Sequence, residues 1–502
     1  MVKRTLIKTN SYQDSIELMK ISVAVSKIDG VVNASVMMAT TLNKAVLEET
    51  GMLTPEAEAA GSSDMLIVVE AESDEAANAA FAAAEKAIAG ETVTVKNTSQ
   101  QKLETLAQVT AEEKHLAFIS TPGVFAAEEA LKALKLGMNV FMFSDNVTIE
   151  DEVRLKKYAH EKDLILMGPD CGTAHLNGIP YGFANAVRSG GIGIVGASGT
   201  GIQEVMCLVD RFGGGISNVF GTGSHDLSEK VGGISMLDSL ECLIRDETTK
   251  VIVLISKPPH PAVADKLRHA VLSAGKPTVI CFVGNRQSSD GDFSVLTQVD
   301  TLEEAAIAAV KLEKGSCVCK PCEKSTAVAA DGAWLRGLYS GGTLAYEAIV
   351  RLKEKGIKVY SNIALSEEEQ LENARYSKQN TVIDMGDDTF TRGKPHPMID
   401  MTARAERIRA EASDPEVKVI LLDAVLGYGA NLDPAAELCP VISECLAARS
   451  DLNFVVEICG TPADPQSSVK QAEAFEHAGA TVKFSNIRAV EAAWSLLCRE
   501  SE

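Results

Sequence analysis

Ile192-Gly-Ile-Val-Gly-Ala-Ser198-Gly199-Thr200-Gly-Ile-Gln-Glu204 decides how the chain is read, and a second copy of its signal, Ser340-Gly341-Gly342-Thr343-Leu-Ala-Tyr-Glu347, follows the run Trp334-Leu-Arg-Gly-Leu-Tyr339. Each copy is a short apolar run that reads as a strand, then a Gly-Thr turn, then a helical pattern. The glycines and threonines therefore fall where the first N–H groups of a helix lack intrahelical partners. A phosphate placed there accepts several N–H bonds and lies on the positive end of the helix dipole, while Ser or Thr supplies a hydroxyl. Two such ends in one polypeptide can converge on a single phosphoryl group. Ser198, Gly199, Thr200, Gly341, Gly342 and Thr343 are thus the expected phosphate-binding residues, with a plain pair of Gly-Thr helix caps as the alternative.

Working outward, residues 1–100 alternate short strands (Leu6 to Lys8, Val31 to Met37, Met65 to Val69) with helices (Asp14 to Ser26, Ser73 to Ala89), a small α/β domain. A polar segment near Asn97 to Gln101 reads as a linker. Residues 111–187 carry the strand–helix rhythm of a Rossmann-like parallel sheet. Residues 188–312 and 332–502 read as two related flavodoxin-like domains joined by a linker at 313–331, with strands at Ile357 to Tyr360 and Val382 to Met385 and a helix at Thr402 to Glu411 in the second. Their kinship shows in detail, since Asp-Glu-Thr-Thr-Lys-Val-Ile-Val-Leu254 parallels Asp-Pro-Glu-Val-Lys-Val-Ile-Leu-Leu422.

Acidic residues outnumber basic ones, 69 to 48, with no basic stripe and no interleaved aromatics, so nucleic acid is not an expected partner. No apolar run is long enough to span a bilayer or serve as a signal segment, and a cytoplasmic protein without membrane contact is expected. Eleven cysteines, an odd number spread through apolar segments, read as reduced thiols. Cys317, Cys319 and Cys322 share the 313–331 linker without a fourth ligand nearby, so no metal is expected there. Gly196-x-x-Gly199-x-Gly201 has its glycines in the wrong order for a dinucleotide fingerprint, and NAD is discounted.

The densest polar stretch is Gly386-Asp387-Asp388 through Arg392-Gly-Lys394-Pro-His396-Pro-Met-Ile-Asp400, beyond a strand end, where open α/β sheets bind ligands. Asp387, Asp388, Lys394 and Asp400 are expected to bind substrate, and His396 to polarise a carbonyl or shuttle a proton with Asp400 setting its tautomer. The competing reading is a rigid helix-entry loop capped by Asp400. Lys257, in Ser256-Lys-Pro-Pro259, supplies a cation at another strand end, and His225, in Gly221-Thr-Gly-Ser-His-Asp226, is a weaker candidate of the same kind.

These residues resemble the nucleoside-diphosphate-forming acyl-CoA synthetases. Met167-Gly-Pro-Asp170 followed by Ile194-Val-Gly-Ala-Ser-Gly-Thr200 is similar to the passage of succinyl-CoA synthetase between its CoA-binding and phosphate-binding domains. The resemblance implies that Glu204 and Glu347 are the catalytic glutamates of two helices aimed at a phosphoryl group. Over essentially the whole chain, Phe143-Ser-Asp-Asn-Val147, Gly168-Pro-Asp-Cys-Gly-Thr173 and Gly393-Lys-Pro-His-Pro-Met-Ile-Asp400 are similar to the FdrA family. That resemblance implies a subunit of an oxamate carbamoyltransferase, which interconverts oxalurate plus phosphate with oxamate plus carbamoyl phosphate in allantoin and purine degradation. The implied ligands are phosphate or carbamoyl phosphate, and the implied partners are a small-molecule substrate and other protein subunits. Three features depart from the synthetase. No glycine-rich CoA loop lies in residues 1–110, which argues against CoA. The loop expected to hold a phosphohistidine, Gly284-Asn-Arg-Gln-Ser-Ser-Asp-Gly291, has no histidine, and there is no P-loop or ATP-grasp-sized module. An acyl-CoA ligase and a non-catalytic scaffold subunit are the alternatives.

Overall fold

A computed structural model describes residues 1–9, 11, 15–62, 64–88, 106, 116–285, 295–317, 319–322, 332–392 and 394–498. The proposed linker at Asn97 to Gln101 lies outside them. The chain divides into two compact units, Met1–Val109 with Ser120–Pro122 and Asp388–Asp400, and Thr110–Ile119 with Gly123–Asp387 and Met401–Glu502.

In the first unit β1 (Val2–Lys8), α1 (Ser15–Ser26), β2 (Val31–Met38), α2 (Thr41–Glu49), α3 (Pro55–Ala59), β3 (Met65–Ala71) and α4 (Asp74–Ile88) form an antiparallel sheet in the order β1-β3-β2. Strand periodicity splits β3 between two cores. Met65, Ile67 and Val69 face Leu18, Ile21 and Val25 of α1 and Ala77, Ala80 and Ala84 of α4, whereas Leu66 and Val68 face Leu47, Met52 and Ala57. The alanine-rich stretch thus supplies the flat face that lets α4 approach the sheet. The sequence reading missed α2 and α3, which begin at the side-chain caps Thr40 and Thr54.

The second unit opens with β4 (Leu116–Ile119), α5 (Gly123–Lys135), β5 (Asn139–Met142), α6 (Ile149–Glu161) and β6 (Leu166–Met167), a parallel sheet in the order β4-β5-β6. Next come β7 (Thr173–Leu176), β8 (Ile179–Gly182), β9 (Ser189–Gly196), α7 (Gly199–Arg211), β10 (Ile216–Gly221), α8 (Ile234–Arg245), β11 (Val251–Ser256), α9 (Pro261–Ser273), β12 (Thr278–Phe282), β13 (Leu296–Val299) and α10 (Leu302–Lys314). Their sheet runs β13-β12-β11-β9-β10-β7-β8. The five strands from β9 onward are parallel, and renumbered from β9 they stand in the flavodoxin order 2-1-3-4-5. The hairpin β7–β8 extends this sheet antiparallel to β10, so the expected 111–187 domain gives two of its strands to the next sheet.

The last sheet repeats the plan. β14 (Trp334–Tyr339), α11 (Gly342–Glu354) and β15 (Thr381–Asp384) are followed by α12 (Asp388–Thr391), which groups with the first unit. Then come α13 (Thr402–Ala412), β16 (Val417–Val425), α14 (Pro434–Ala448), β17 (Asn453–Cys459), α15 (Ser468–His477), β18 (Thr481–Lys483) and α16 (Asn486–Leu497). The order β15-β14-β16-β17-β18 is again 2-1-3-4-5. The strand expected at Ile357 to Tyr360 does not form. Tyr360 makes an isolated bridge to Thr381, and the chain turns away after Ser361. Among the described residues no helix is long and apolar enough to cross a membrane.

Candidate functional site

Both parallel sheets end their first strand in a Gly-Thr turn at the point where the strand order reverses, the place where such sheets bind ligands. Ser198 caps α7, its Oγ accepting the Gly201 N–H at 3.0 Å. Gly341 caps α11 without a side-chain cap bond. The two helix ends meet, because Ser198 Oγ donates to Thr343 Oγ1 at 2.6 Å and the Thr200 side chain lies against Gly341, whose absent Cβ would collide with it. Four of the six expected phosphate residues are thereby in mutual contact. Gly199 opens α7 beside Thr173 Oγ1, which a Cβ would approach to 3.3 Å, and Gly342 opens α11 between two charged side chains. A Cβ on Gly342 would stand 2.6 Å from Asp384 Oδ2 and 3.1 Å from Lys257 Nζ. Lys257 leaves the end of β11 and Asp384 ends β15, so the pair flanks the start of α11. Burial pushes the Asp384 carboxyl up to about 6, against the pull of Lys257. Ahead of the turn, Asp423 on β16 accepts both the Ser340 N–H, at 2.9 Å, and its hydroxyl, at 2.8 Å, and is itself held by buried Arg404 at 2.8 Å.

This arrangement places two positive helix ends and one ammonium at one edge, with three hydroxyls from Ser198, Thr200 and Thr343 and one carboxyl, Asp384, which is neutral below about pH 6. Its chemistry suits an anion. Each helix end contributes about 0.3–1 kcal/mol at an exposed site and up to about 2 when partly buried, so the pairing matters more than either end alone.

Glu204 and Glu347, expected as catalytic groups, lie more than a turn further along the helices and do not line the turn. Both are buried, and one residue joins them. Asn486, first in α16, donates its N–H to Glu204 at 2.9 Å and its side-chain amide to Glu347 at 2.8 Å and to Leu344 C=O at 3.0 Å, while accepting the Tyr339 hydroxyl at 3.0 Å. Glu347 also accepts the Leu302 N–H at 2.8 Å. Glu457 of β17 and Cys459 approach Glu204, with ligand atoms of all three within 4.8 Å of one another. Burial pushes Glu204 up to about 8 and Glu347 up to about 7, and raises Glu457 well above the ordinary range. Burial thus favours the neutral form of these carboxyls, and the cluster, through Asn486 and Leu302, fastens the two flavodoxin-like sheets together behind the turns.

The loop at 387–400 answers the sequence reading differently. Asp388, Lys394, His396 and Asp400 group with the first unit and Asp387 with the second. His396 Nδ1 accepts the Met398 N–H at 3.2 Å, which places the proton of the neutral ring on Nε2. The Asp400 N–H in turn donates to the His396 carbonyl at 3.1 Å, and Lys394 N–H to Thr391 at 3.0 Å. Asp400 does not cap the next helix. The cap is Met401, without a side-chain bond. Asp384, Asn486, Asp423 and Arg404 were not found from sequence. Asp384 alone had a local signal, its place just before the Gly386-Asp387-Asp388 turn.

Three family models match the chain: the AllF heavy metal-associated domain over residues 1–105, a CoA binding domain over 187–284, and a CoA-ligase domain over 338–496. The CoA binding model thus falls on the first flavodoxin-like sheet. Residues 1–105 contain no cysteine, so a thiolate metal site is not available to them. The uncharacterized protein YahF of Escherichia coli (strain K12) is 41% identical over 515 residues, covering 100% of both chains. Succinate–CoA ligase [ADP-forming] subunit alpha 2 of Archaeoglobus fulgidus is 26% identical over 152 residues, 29% of this chain and 50% of that protein. The corresponding alpha subunit of Staphylococcus aureus (strain Mu50) is 27% identical over 182 residues, 35% of this chain and 58% of that one. Among solved structures, the dinucleotide-forming acetyl-coenzyme A synthetase 1 of Ca. Korarchaeum cryptofilum in complex with phosphate and ADP aligns over 81% of this chain and 87% of that chain, at 16% identity and a TM-score of 0.35.

Proposed function

The chain belongs to the succinyl-CoA synthetase-like family that includes YahF, and from that premise we propose that it is the phosphate-handling subunit of an acyl-transferring enzyme, making or consuming an acyl phosphate at its paired helix ends. The observation that carries this reading is the 2.6 Å contact between Ser198 and Thr343, which brings two helix N-termini from two related sheets to one point beside Lys257. An acyl phosphate suits such a site because its three phosphoryl oxygens accept N–H bonds while the acyl carbon stays open to attack. No cofactor is required for the transfer itself, only positioning and charge neutralisation.

The broad form of the proposal is an NDP-forming acyl-CoA synthetase. A second form, which excludes the first, is favoured by one observation, the absence of histidine from the 284–291 loop, which leaves that loop without the nucleophile an acyl-CoA synthetase needs there. In that form the acyl group is carbamoyl, oxalurate and phosphate exchange with oxamate and carbamoyl phosphate, and partner subunits complete a cytoplasmic enzyme.

The purified chain, with and without the proteins encoded beside its gene, is to be assayed for phosphate-dependent oxalurate cleavage and for NTP-dependent acyl-CoA formation. The carbamoyl form predicts carbamoyl phosphate and no acid-labile label on the chain after incubation with γ-labelled ATP. Acyl-CoA formation with a stoichiometric label supports the broad form instead, and no turnover in either assay overturns both.

A further inference from the structure

We propose that His225, aimed by the buried carboxylate of Glu152, is a proton-transfer residue that protonates the nitrogen leaving an N-acyl or ureido substrate at the paired helix ends. This rests on the group-transfer reading above. It begins from an unusual burial. Lys156 of α6 is completely enclosed, and its ammonium donates to Asp226 Oδ1 at 2.8 Å and to the Thr222 carbonyl at 2.9 Å and lies 2.7 Å from Glu152 Oε1. Two of its protons are donated and its charge is shared between two carboxylates. Asp226 is equally engaged, accepting the Ser235 N–H at 3.2 Å and the Met236 N–H at 2.9 Å at the start of α8. Glu152, only 1% exposed, has neither carboxylate oxygen in a hydrogen bond; Oε1 is paired only in charge with Lys156, and Oε2 points elsewhere.

That oxygen faces His225 Nδ1 at 3.7 Å, an ion-pair contact, and the His225 side chain is 58% exposed. A buried carboxylate oxygen left without hydrogen is costly, and the imidazolium is the group placed to offset it. With Nδ1 turned toward Glu152, Nε2 is the nitrogen left for a ligand. Glu152 holds the imidazole above its ordinary pKa against the pull of burial, with Asp170 adding to the effect and Lys156 opposing it. Burial raises the Glu152 carboxyl, but His225 and Lys156 together hold it below the ordinary value. Glu152 therefore favours the protonated form of His225, with the proton on Nε2 directed away from the carboxylate.

Its position is on the same edge as the helix pair. β10 and β9 run parallel with Gly221 opposite Gly196, and the Thr222 N–H donates to the Gly196 carbonyl at 2.9 Å. The loop bearing His225 thus leaves the sheet one strand over from the turn bearing Ser198. Gly223, at φ 86°, lies against the Pro169 carbonyl where no side chain fits, which fixes the path of the loop.

The chemistry then selects a substrate class. A phosphate oxygen bonds to the acyl carbon, the carbon–nitrogen bond breaks, and its electron pair passes to nitrogen, which takes the Nε2 proton of His225. Solvent reprotonates the ring. In reverse, neutral His225 removes the proton as nitrogen attacks. An amide nitrogen is too basic to leave as an anion, whereas a thiolate leaves unaided, so a protonated histidine here favours an N-acyl substrate over a thioester.

The test follows the assembled enzyme with oxalurate and inorganic phosphate, and the histidine ring signals of the labelled chain. H225Q is expected to lower turnover by about a hundredfold or more with the phosphate KM nearly unchanged. E152Q is expected to lower the titration midpoint of the His225 signal, identified by its loss in H225Q, and to shift the turnover pH profile the same way. Turnover unchanged in H225Q, or a midpoint unmoved in E152Q, overturns the proposal. If E152Q does not fold, the H225Q kinetics decide alone. A wild-type enzyme with no oxalurate phosphorolysis overturns the group-transfer reading itself, and with it the proton donor; phosphorolysis that survives H225Q overturns only the donor.

Discussion

Raising the pH from about 5 to about 8 lowers the unfolding free energy of the second unit by an amount on the order of several kcal/mol, the reverse of ordinary acid lability. The cause is the cluster of Glu204, Glu347 and Glu457. In the unfolded chain a glutamate titrates near 4.3. In the folded chain burial pushes Glu204 up to about 8 and Glu347 up to about 7. Between those limits the native state holds protons that the unfolded state has released. Stability from these groups is therefore fully present below about pH 4.3 and is lost as pH rises through 7 and 8, at about 1.4 kcal/mol per pH unit for each proton of difference. Denaturant midpoints measured across that range in one buffer series check it. Glu204→Gln should flatten the slope, because the amide introduced by the substitution occupies the same buried place without titrating. A midpoint that climbs steadily from pH 5 to 8 contradicts the cluster as described.

Asn486→Leu should remove about 3 kcal/mol or more from the same unit. Leucine fills the volume but leaves the Tyr339 hydroxyl, one Glu347 oxygen and the Leu344 carbonyl without the partner they now have, and each such loss costs about 1–3 kcal/mol. Asn486→Asp offers an internal control. It keeps the shape yet adds a fourth carboxyl to the cluster, so its deficit should grow between pH 5.5 and pH 8 more steeply than that of Asn486→Leu, whose pH dependence comes only from the lost bond to Glu347. Equal deficits for the two variants at both pH values would mean that packing, and not the polar junction, is what Asn486 provides.

The fold was legible because its signals are local. Strand, Gly-Thr turn and helix recur within a dozen residues at Ile192 and at Trp334, and each recurrence opens a sheet in the same order. The hairpin β7–β8 was missed although its turn, Asn177-Gly178, has both residues at positive φ, 52° and 81°, the conformation that Asn-Gly pairs favour. The parallel rhythm around it masked the signal. The meeting of the two helix ends was foreseen from their duplication alone. What backs them was not, because the partners of Asn486 stand 139, 147 and 282 residues away along the chain, and no spacing rule reaches that far. The same distance explains the reassignment of Glu204 and Glu347. A glutamate more than a turn into a helix reads as ligand-facing only if the neighbouring helix is known, and here that neighbour turns both inward. His225 shows the converse. Its loop looked weaker than the Pro-flanked His396 loop, yet only the folded chain brings Glu152, some seventy residues earlier, behind its ring.

Calorimetric titration of inorganic phosphate into the full chain near neutral pH, for wild type beside Lys257→Ala and Gly342→Ala, tests the paired helix ends most directly. Lys257 supplies the ammonium at the start of α11, and a methyl on Gly342 would intrude between that ammonium and Asp384. The account predicts saturable binding to the wild type, weakened about tenfold or more in each variant, which corresponds to about 1.4 kcal/mol. Wild type that takes up no phosphate, or variants that bind it as tightly as wild type, would contradict it.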